Sequence, residues 1–369
     1  MTAKRTDVFV IGGGPAGLAA AIAARERGLR VTLADQCAPG TDKACGEGLL
    51  PETLEVLRRL GVEIPVAQGR PIRGIRFVDG ERSVEGSFPL GQGLGVPRTA
   101  LHALLAERAA GCGAELLWKT SVHGIGREGV ELSTGTVRAQ WIVAADGGHS
   151  LARNWAGLAA GTPQRRRFGF RRHYCVQPWT DRVEVHWGDD CQFYVSPVGP
   201  DTMCAALLSH SPRLRIAEAL PRFRMLAARL ESATPLGVER GATCATVQLP
   251  RVTRGNVASV GDASGSVDAI TGQGLFLAFS QSLALADALA ASDLSQYEAA
   301  HRRLARRPSM MARLLLALDG RPRLRRRVMQ VFAEEPRLFA GLLAAHVGVA
   351  SPADCAVDTV RFGWRLATT

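Results

Sequence analysis

A chain of 369 residues that is 46% hydrophobic and 21% charged has the length and composition of a soluble globular protein with a sizeable core. The net charge of +11 rests almost wholly on arginine, since Lys4, Lys43 and Lys119 are the only lysines, and aromatics are 6%. That skew, with so few rings for base stacking, speaks against nucleic acid as a partner. The eight cysteines (Cys37, Cys45, Cys112, Cys175, Cys191, Cys204, Cys244 and Cys355) include no C-x-x-C pair, and no two histidines share ligand spacing. No metal is therefore expected, and the thiols read as reduced.

Asp7–Ile11 reads as a short buried strand, Gly12–Gly17 as a turn, and Leu18–Arg27 as a helix closed by Gly28. Arg30–Ala34 follows as the next strand, completing a βαβ unit. Val8–Ala24 is apolar and follows Lys4 and Arg5, as in a signal peptide, but Gly12-Gly13-Gly14-Pro15 breaks the run. No window holds 18 apolar residues, so no membrane span is expected and the reading is cytoplasmic. Pro51–Leu60 reads as a helix, 72–89 as strand-like, Arg98–Ala110 as an amphipathic helix and Trp141–Ala145 as a buried strand. Between 166 and 250, alternating stretches such as Arg182–Trp187 and Gln192–Val195 predict antiparallel strands, interrupted by a helix at 213–231. Asn256–Val260 is again a buried strand, Leu275–Ala291 a long apolar helix, and two or three helices follow at about 295–318 and 322–348.

Three glycine motifs each follow a buried strand. In Gly12-x-Gly14-x-x-Gly17, Gly12 permits the tight turn, Gly14 lets a pyrophosphate approach the backbone, and Gly17 lets the helix lie close on the strand. The helix N-terminus then faces the phosphates, and Asp35 closes the next strand where a carboxylate meets a ribose hydroxyl. In Gly261-Asp262-Ala263 the carboxylate suits a ribitol hydroxyl; Thr271-Gly272-Gln273-Gly274 then opens the Leu275 helix, whose N-terminus suits a flavin anion. Ala145-Asp146-Gly147-Gly148-x-Ser150-x-x-Arg153 is a further approach to the same region.

In this order the motifs resemble the para-hydroxybenzoate hydroxylase superfamily of flavoproteins. The resemblance covers roughly 1–60, 96–155 and 251–292. It implies an FAD site at Gly12, Gly14, Gly17 and Asp35, at Asp146 and Gly147, and at Gly261 and Asp262. It extends to Pro15, Ala16, Gln36, Gly46, Val122, Gly272, Gln273, Gly274 and Leu275. Arg98, opening R-x-x-L-x-x-L, matches the arginine that reaches FAD in these proteins.

A finer resemblance is to the geranylgeranyl reductase branch. Cys45-Gly46-Glu47-Gly48 is similar to its CG motif, making Cys45 a flavin-proximal thiol and Glu47 a polar contact or proton carrier. Phe193-Tyr194-x-x-Pro197-x-Gly199 resembles a segment lining its substrate cavity. With Phe170, Tyr174 and Trp187, these aromatics are the candidate pocket for an apolar substrate, although core packing explains most of them. His173 and His186 on the same strands read as satisfied core or edge residues.

The implied fold is α/β: a Rossmann-like FAD-binding domain of the GR2 type (1–80, 97–160 and 251–292), an inserted antiparallel substrate sheet (81–96 and 165–250) and C-terminal helices (293–369). The implied activity is a monooxygenase using FAD, NAD(P)H and dioxygen on an apolar aromatic, polyketide-like or lipid-like substrate. Saturation of isoprenoid double bonds is the alternative. A flavin halogenase fits less well, because the chain has no W-x-W-x-I-P segment. The basic run Arg321–Arg327 reads as a solvated face, with peripheral contact at a membrane surface as the alternative. The oligomeric state is left open.

Overall fold

The computed structural model describes residues 4–158 and 166–368. The junction expected between 160 and 165 therefore lies outside the described residues. The first sheet has Lys4–Ile11 at its centre, flanked by parallel strands Gly135–Ala144 and Val31–Asp35, with Val257–Ser259 and Glu115–Trp118 parallel outside them. Val8, Phe9 and Val10 have no exposed surface, as expected of a parallel sheet covered on both faces. Helix Pro15–Glu26 is alanine-rich and nearly all buried, packed among helices Arg98–Gly111 and Gly274–Ala290. A helix apolar all round belongs inside, and its small side chains let its neighbours approach.

The second sheet has seven strands in the order Thr234–Ala245, Arg166–Cys175, Thr202–Ser209, Cys191–Gly199, Arg182–Trp187, Gly74–Asp79 and Arg82–Ser87. All its pairings are antiparallel except Arg182–Trp187 with Gly74–Asp79. This corrects the expected domain boundary at 80/81, which would cut the hairpin Gly74–Ser87 at its turn. Both of its strands belong to the second sheet, because hairpin strands share one hydrogen-bonded ladder. Part of 81–96 leaves that sheet as well: Gly93–Gly95 pairs with Gly48–Leu49 and Arg70–Ile72 in a small third sheet.

One face of the second sheet buries Phe193, Met203 and Leu207 against short helices Ile216–Ala219 and Arg224–Leu230. The single helix expected at 213–231 is broken here, at Pro221, which has no N–H for the helical ladder. The other face buries Phe77, Val84, Val185 and Trp187 against C-terminal helices. Four such helices replace the expected two or three: Leu294–Asp319, Pro322–Glu334, Pro336–Val347 and Pro352–Thr368. The last three each begin on proline, which favours the first helical position.

A fully buried arginine joins the layers. Arg167 donates to Asp268 at 3.0 Å and Gln192 at 3.1 Å, with Asp319 at 3.8 Å. It thus ties the second sheet to the Gly261–Gly274 loop and to the end of helix Leu294–Asp319.

Candidate active site

The site forms where strands of the first sheet end. Gly12 has φ +108°, and a Cβ there would lie 2.6 Å from the Ala145 carbonyl oxygen. A Cβ on Gly17 would lie 1.9 Å from the Gly12 carbonyl, so Gly17 is the packing glycine and does not border the cavity. Gly14 differs: nothing lies within 4 Å of a Cβ built there, although it lines the cavity. The turn thus offers open backbone beside the uncapped N-terminus of helix Pro15–Glu26.

Asp35 accepts from Gly13 N–H at 2.6 Å and Cys37 N–H at 2.7 Å. Each oxygen keeps a lone pair for a hydroxyl. Arg98, opening its helix on the other side, lines the cavity without a salt-bridge partner among the described residues. His102 lies one turn after Arg98. It joins the Gly13 carbonyl at 2.9 Å and the Gly40 N–H at 3.2 Å, holding the Gly12–Gly17 turn against the 36–48 loop. Burial pushes its pKa down. The sequence reading passed over His102, although its i, i+4 spacing from Arg98 puts both on one helix face.

Asp146 spends its carboxylate locally, accepting from Ser150 Oγ and from Ala152 N–H at 3.1 Å. Arg153 of the same motif donates to the carbonyls of Ala263 and Gly148 at 3.3 and 3.2 Å, so the second and third motifs are locked together. Gly261, at φ +61°, faces Ala16, while Asp262 projects into the cavity. The surrounding protein raises the Asp262 pKa, opposed by Arg98 and Lys43.

Gly272, Gly274 and Leu275 border the cavity, as do Pro15, Ala16, Gln36, Gly46, Val122 and Gly147. Gln273 does not. It is fully buried, and its amide donates to Glu52 at 3.2 Å and the His346 carbonyl at 2.8 Å. The expected flavin contact is corrected to a brace between the Gly274–Ala290 helix and the C-terminal helices.

Cys45 and Glu47 both border the cavity. Glu47 takes φ +58°, a left-handed conformation costly for a residue with a Cβ. Its buried carboxylate accepts from Arg98 N–H at 2.9 Å, pairs with His173 Nε2, and lies 3.8 Å from Arg171. These partners hold the strained residue in place. Among the described residues, Glu47, His173 and Cys204 bring possible ligand atoms within 4.8 Å of one another, with the Arg171 cation beside them. Burial raises the Cys45 pKa and keeps its thiol protonated.

The cavity has a volume of about 1530 Å³, above the roughly 300–1,000 Å³ of an ordinary ligand pocket, so it has room for a dinucleotide and a second molecule. Beyond the CG loop it runs between the second sheet and the C-terminal helices, where Phe77, Val185, Met311, Leu315 and Leu343 form its walls. Of the candidate pocket aromatics, Phe170, Trp187 and Tyr194 line it. Tyr174 and Phe193 do not; they pack on the opposite face of the sheet. Side chains alternate along a strand, so neighbours Phe193 and Tyr194 point to opposite faces. Pro197 is also displaced, to a separate 270 Å³ pocket. Tyr194 donates to the Ile270 carbonyl at 3.1 Å, and burial raises its pKa. His346, which the sequence reading did not consider, borders the chamber and is held neutral, its pKa lowered to about 4 by burial and by Arg307.

Open backbone at Gly14, the N-termini of helices Pro15–Glu26 and Gly274–Ala290, which carry no side-chain cap, and Arg98, without a salt-bridge partner among the described residues, fit a dinucleotide with anionic phosphates. A family model described as FAD binding domain matches residues 5–204. The chain belongs to that family. It is an FAD-dependent oxidoreductase. Menaquinone reductase of Mycolicibacterium smegmatis is 36% identical over 168 residues, 41% of each chain. Digeranylgeranylglycerophospholipid reductase of Methanocaldococcus jannaschii is 27% identical over 74% of this chain and 73% of its own. Rifampicin monooxygenase of Streptomyces venezuelae is 31% identical over 43% of this chain and 36% of its own. The first and third of these matches thus span less than half of the relative's length. Among solved structures, a flavoprotein/dehydrogenase from Cytophaga hutchinsonii superposes with a TM-score of 0.84 at 17% identity, covering 99% of this chain and 100% of its own, which shows a shared fold.

Proposed function

We propose that this FAD-dependent oxidoreductase is a monooxygenase acting on an apolar, ring-bearing substrate, with NAD(P)H as reductant. The observation that carries the reading is a single cavity that runs from the glycine turns of the first sheet to apolar walls that include Phe77, Trp187 and Tyr194. FAD supplies electron storage and dioxygen activation, which side chains lack. Gly12, Gly14 and the Pro15–Glu26 helix would hold its pyrophosphate, Asp35 a ribose and Asp262 the ribitol chain. Arg98 supplies compensating charge, and the uncapped N-terminus of the Gly274–Ala290 helix supports anionic charge on the ring. The apolar walls exclude water and align the substrate. Cys45, which lines the cavity and whose thiol burial keeps protonated, would be the proton source in the CG loop.

The alternative, reduction of isoprenoid double bonds, is favoured by the archaeal lipid reductase matching about three-quarters of the chain. It would use the same apolar chamber, with Cys45 delivering the proton. The test is to load the protein with FAD, remove the excess, and follow NAD(P)H and oxygen consumption with candidate phenols and polyprenyl lipids. Substrate-stimulated oxygen uptake and an oxygenated product are expected. A saturated product formed without oxygen would replace the monooxygenase reading with the alternative. A folded protein that retains no FAD would sink both.

Among the described residues no helix is long and apolar enough to cross a membrane. Of the basic run, Arg325 is buried and paired with Asp79 and Asp189, while Arg321, Arg323 and Arg326 are exposed. Peripheral contact with an anionic membrane through these three is a proposal that vesicle co-sedimentation tests.

A further inference from the structure

The last helix, Pro352–Thr368, is apolar on two opposite faces. Phe362 and Leu366 turn inward, with the Phe362 ring 5.4 Å from that of Phe332. The helix is pinned there: Arg327 donates to the Leu366 carbonyl at 2.8 Å, and Arg361 and Arg365 both pair with Glu335. Its outward side is therefore defined. That side carries Ala353, Val357, Val360 and Trp364 in one exposed row, the last three exposed by 65%, 75% and 71%. The spacing of four, three and four residues is the seam of a heptad pattern, narrower than the broad apolar face of a helix lying in a lipid interface.

Charge and size along the row are reversed end for end. Asp354 and Asp358 lie in the first half of the helix, Arg361 and Arg365 in the second, all on one flank of the seam. A second copy run antiparallel, about a two-fold axis between Val357 and Val360, sets Val357 against Val360 of the other copy. The same register sets small Ala353 against large Trp364 and brings Asp354 to the flank that carries Arg361. A parallel copy would instead face Trp364 with Trp364 and Ala353 with Ala353, crowding one end of the seam and leaving the other empty, and would put the Asp–Arg flanks on opposite sides.

We propose that this face is a self-complementary docking surface on which two copies of the chain pair antiparallel through their last helices. Two-fold interfaces use the same patch on both partners. A single 17-residue helix offers a small contact, so the dimer is of the weak, concentration-dependent kind. The surface lies outside the FAD cavity, and the proposal does not depend on which reaction the site performs.

The experiment uses the full FAD-loaded chain. Sedimentation equilibrium is expected to show a monomer–dimer equilibrium, with Val360→Glu and Trp364→Ala each weakening it about tenfold or more. Both positions are exposed, so FAD retention and thermal midpoint should match the parent, and each is measured to exclude misfolding. Direction is read by oxidative cross-linking. A mixture of the Ala353→Cys and Trp364→Cys variants is expected to give a disulfide-linked dimer, whereas Ala353→Cys alone is not, because its two thiols would lie far apart. A protein monomeric up to about 100 µM, far above the dissociation constant of a micromolar dimer, overturns the proposal. So does equal cross-linking of Ala353→Cys alone. Co-sedimentation with anionic phosphatidylserine vesicles that Val360→Glu abolishes, without any dimer in solution, would assign the face to a lipid surface instead.

Discussion

The two ends of the cavity are built by different rules. At the dinucleotide end, short contiguous motifs place backbone: Gly12, Gly14 and Gly17 stand within six residues, and a Cβ at Gly12 or Gly17 would strike the neighbouring main chain. At the substrate end, single side chains from distant segments meet: Phe77, Trp187, Tyr194, Met311 and His346 come from three separate regions of the chain. Backbone sites tolerate little change at any position. Side-chain sites tolerate change at the wall and depend on whatever holds the layers together.

That contrast can be broken or sharpened by substitution. The largest effect is expected at Arg167, which holds the substrate sheet to the loop of the dinucleotide end. Arg167→Met leaves Asp268 and Asp319 buried without their cation, at a cost of about 3–5 kcal/mol. Denaturant unfolding should show it, and an unchanged midpoint would mean that the two ends are held by other contacts. Phe193→Ala, beneath the sheet, should cost about 3–4 kcal/mol through its cavity, yet leave ligand binding by the folded protein intact. Reduced affinity in the folded variant would show that the sheet transmits packing to the chamber.

Acid should loosen both ends next, since His346 borders the chamber while His301 bonds Ser264 beside the Gly261–Asp262 turn. His346 and His301 are both held near a pKa of about 4, chiefly by burial, against an ordinary value of 6.5. The unfolded chain takes up protons as pH falls below 6.5, while the folded chain does not until about 4. Stability is therefore full above pH 6.5 and falls between 6.5 and 4, with a slope of at most ~1.4 kcal/mol per pH unit for each histidine. Urea midpoints at pH 7, 5.5 and 4.5 measure this, and His301→Gln should flatten the decline. Asp35→Asn sets an amide NH2 against one of two backbone N–H donors and is expected to weaken FAD binding about tenfold, read by flavin fluorescence titration, and to cost about 1–3 kcal/mol of stability. Tyr194→Phe is the mildest, losing one hydrogen bond to Ile270 for about 1 kcal/mol, with FAD affinity unchanged. A drop in FAD affinity there would erase the distinction between the two ends.

The dinucleotide end was legible in the sequence because each motif is local. A strand, a glycine turn and a helix are contiguous, and their geometry follows from Gly12, Gly17 and Asp35 without knowledge of the rest. The same locality limits the reading of Gln273: its neighbours Gly272 and Gly274 border the cavity, but whether its own side chain turns there or to Glu52 and His346 depends on a helix some seventy residues later. His102 was within reach, one turn from Arg98, but a lone histidine on an amphipathic helix carries no signal until the loop around Gly40 folds against it. At the substrate end, aromatic strands were visible while their facing was not. Sheet register and layer contacts sent Tyr194 to the chamber and Phe193 beneath it.

By itself the sequence determined the βαβ start, the FAD motifs, the antiparallel insert and the helical C-terminal region, since all depend on interactions between near neighbours in the chain. Only the tertiary structure decided which aromatics face the chamber, that the Gly74–Ser87 hairpin joins the second sheet, and that Arg167 and Gln273 brace the layers. These outcomes depend on contacts between distant segments. Their energies are set by burial and by which buried polar groups find partners, and neither exists until the layers close.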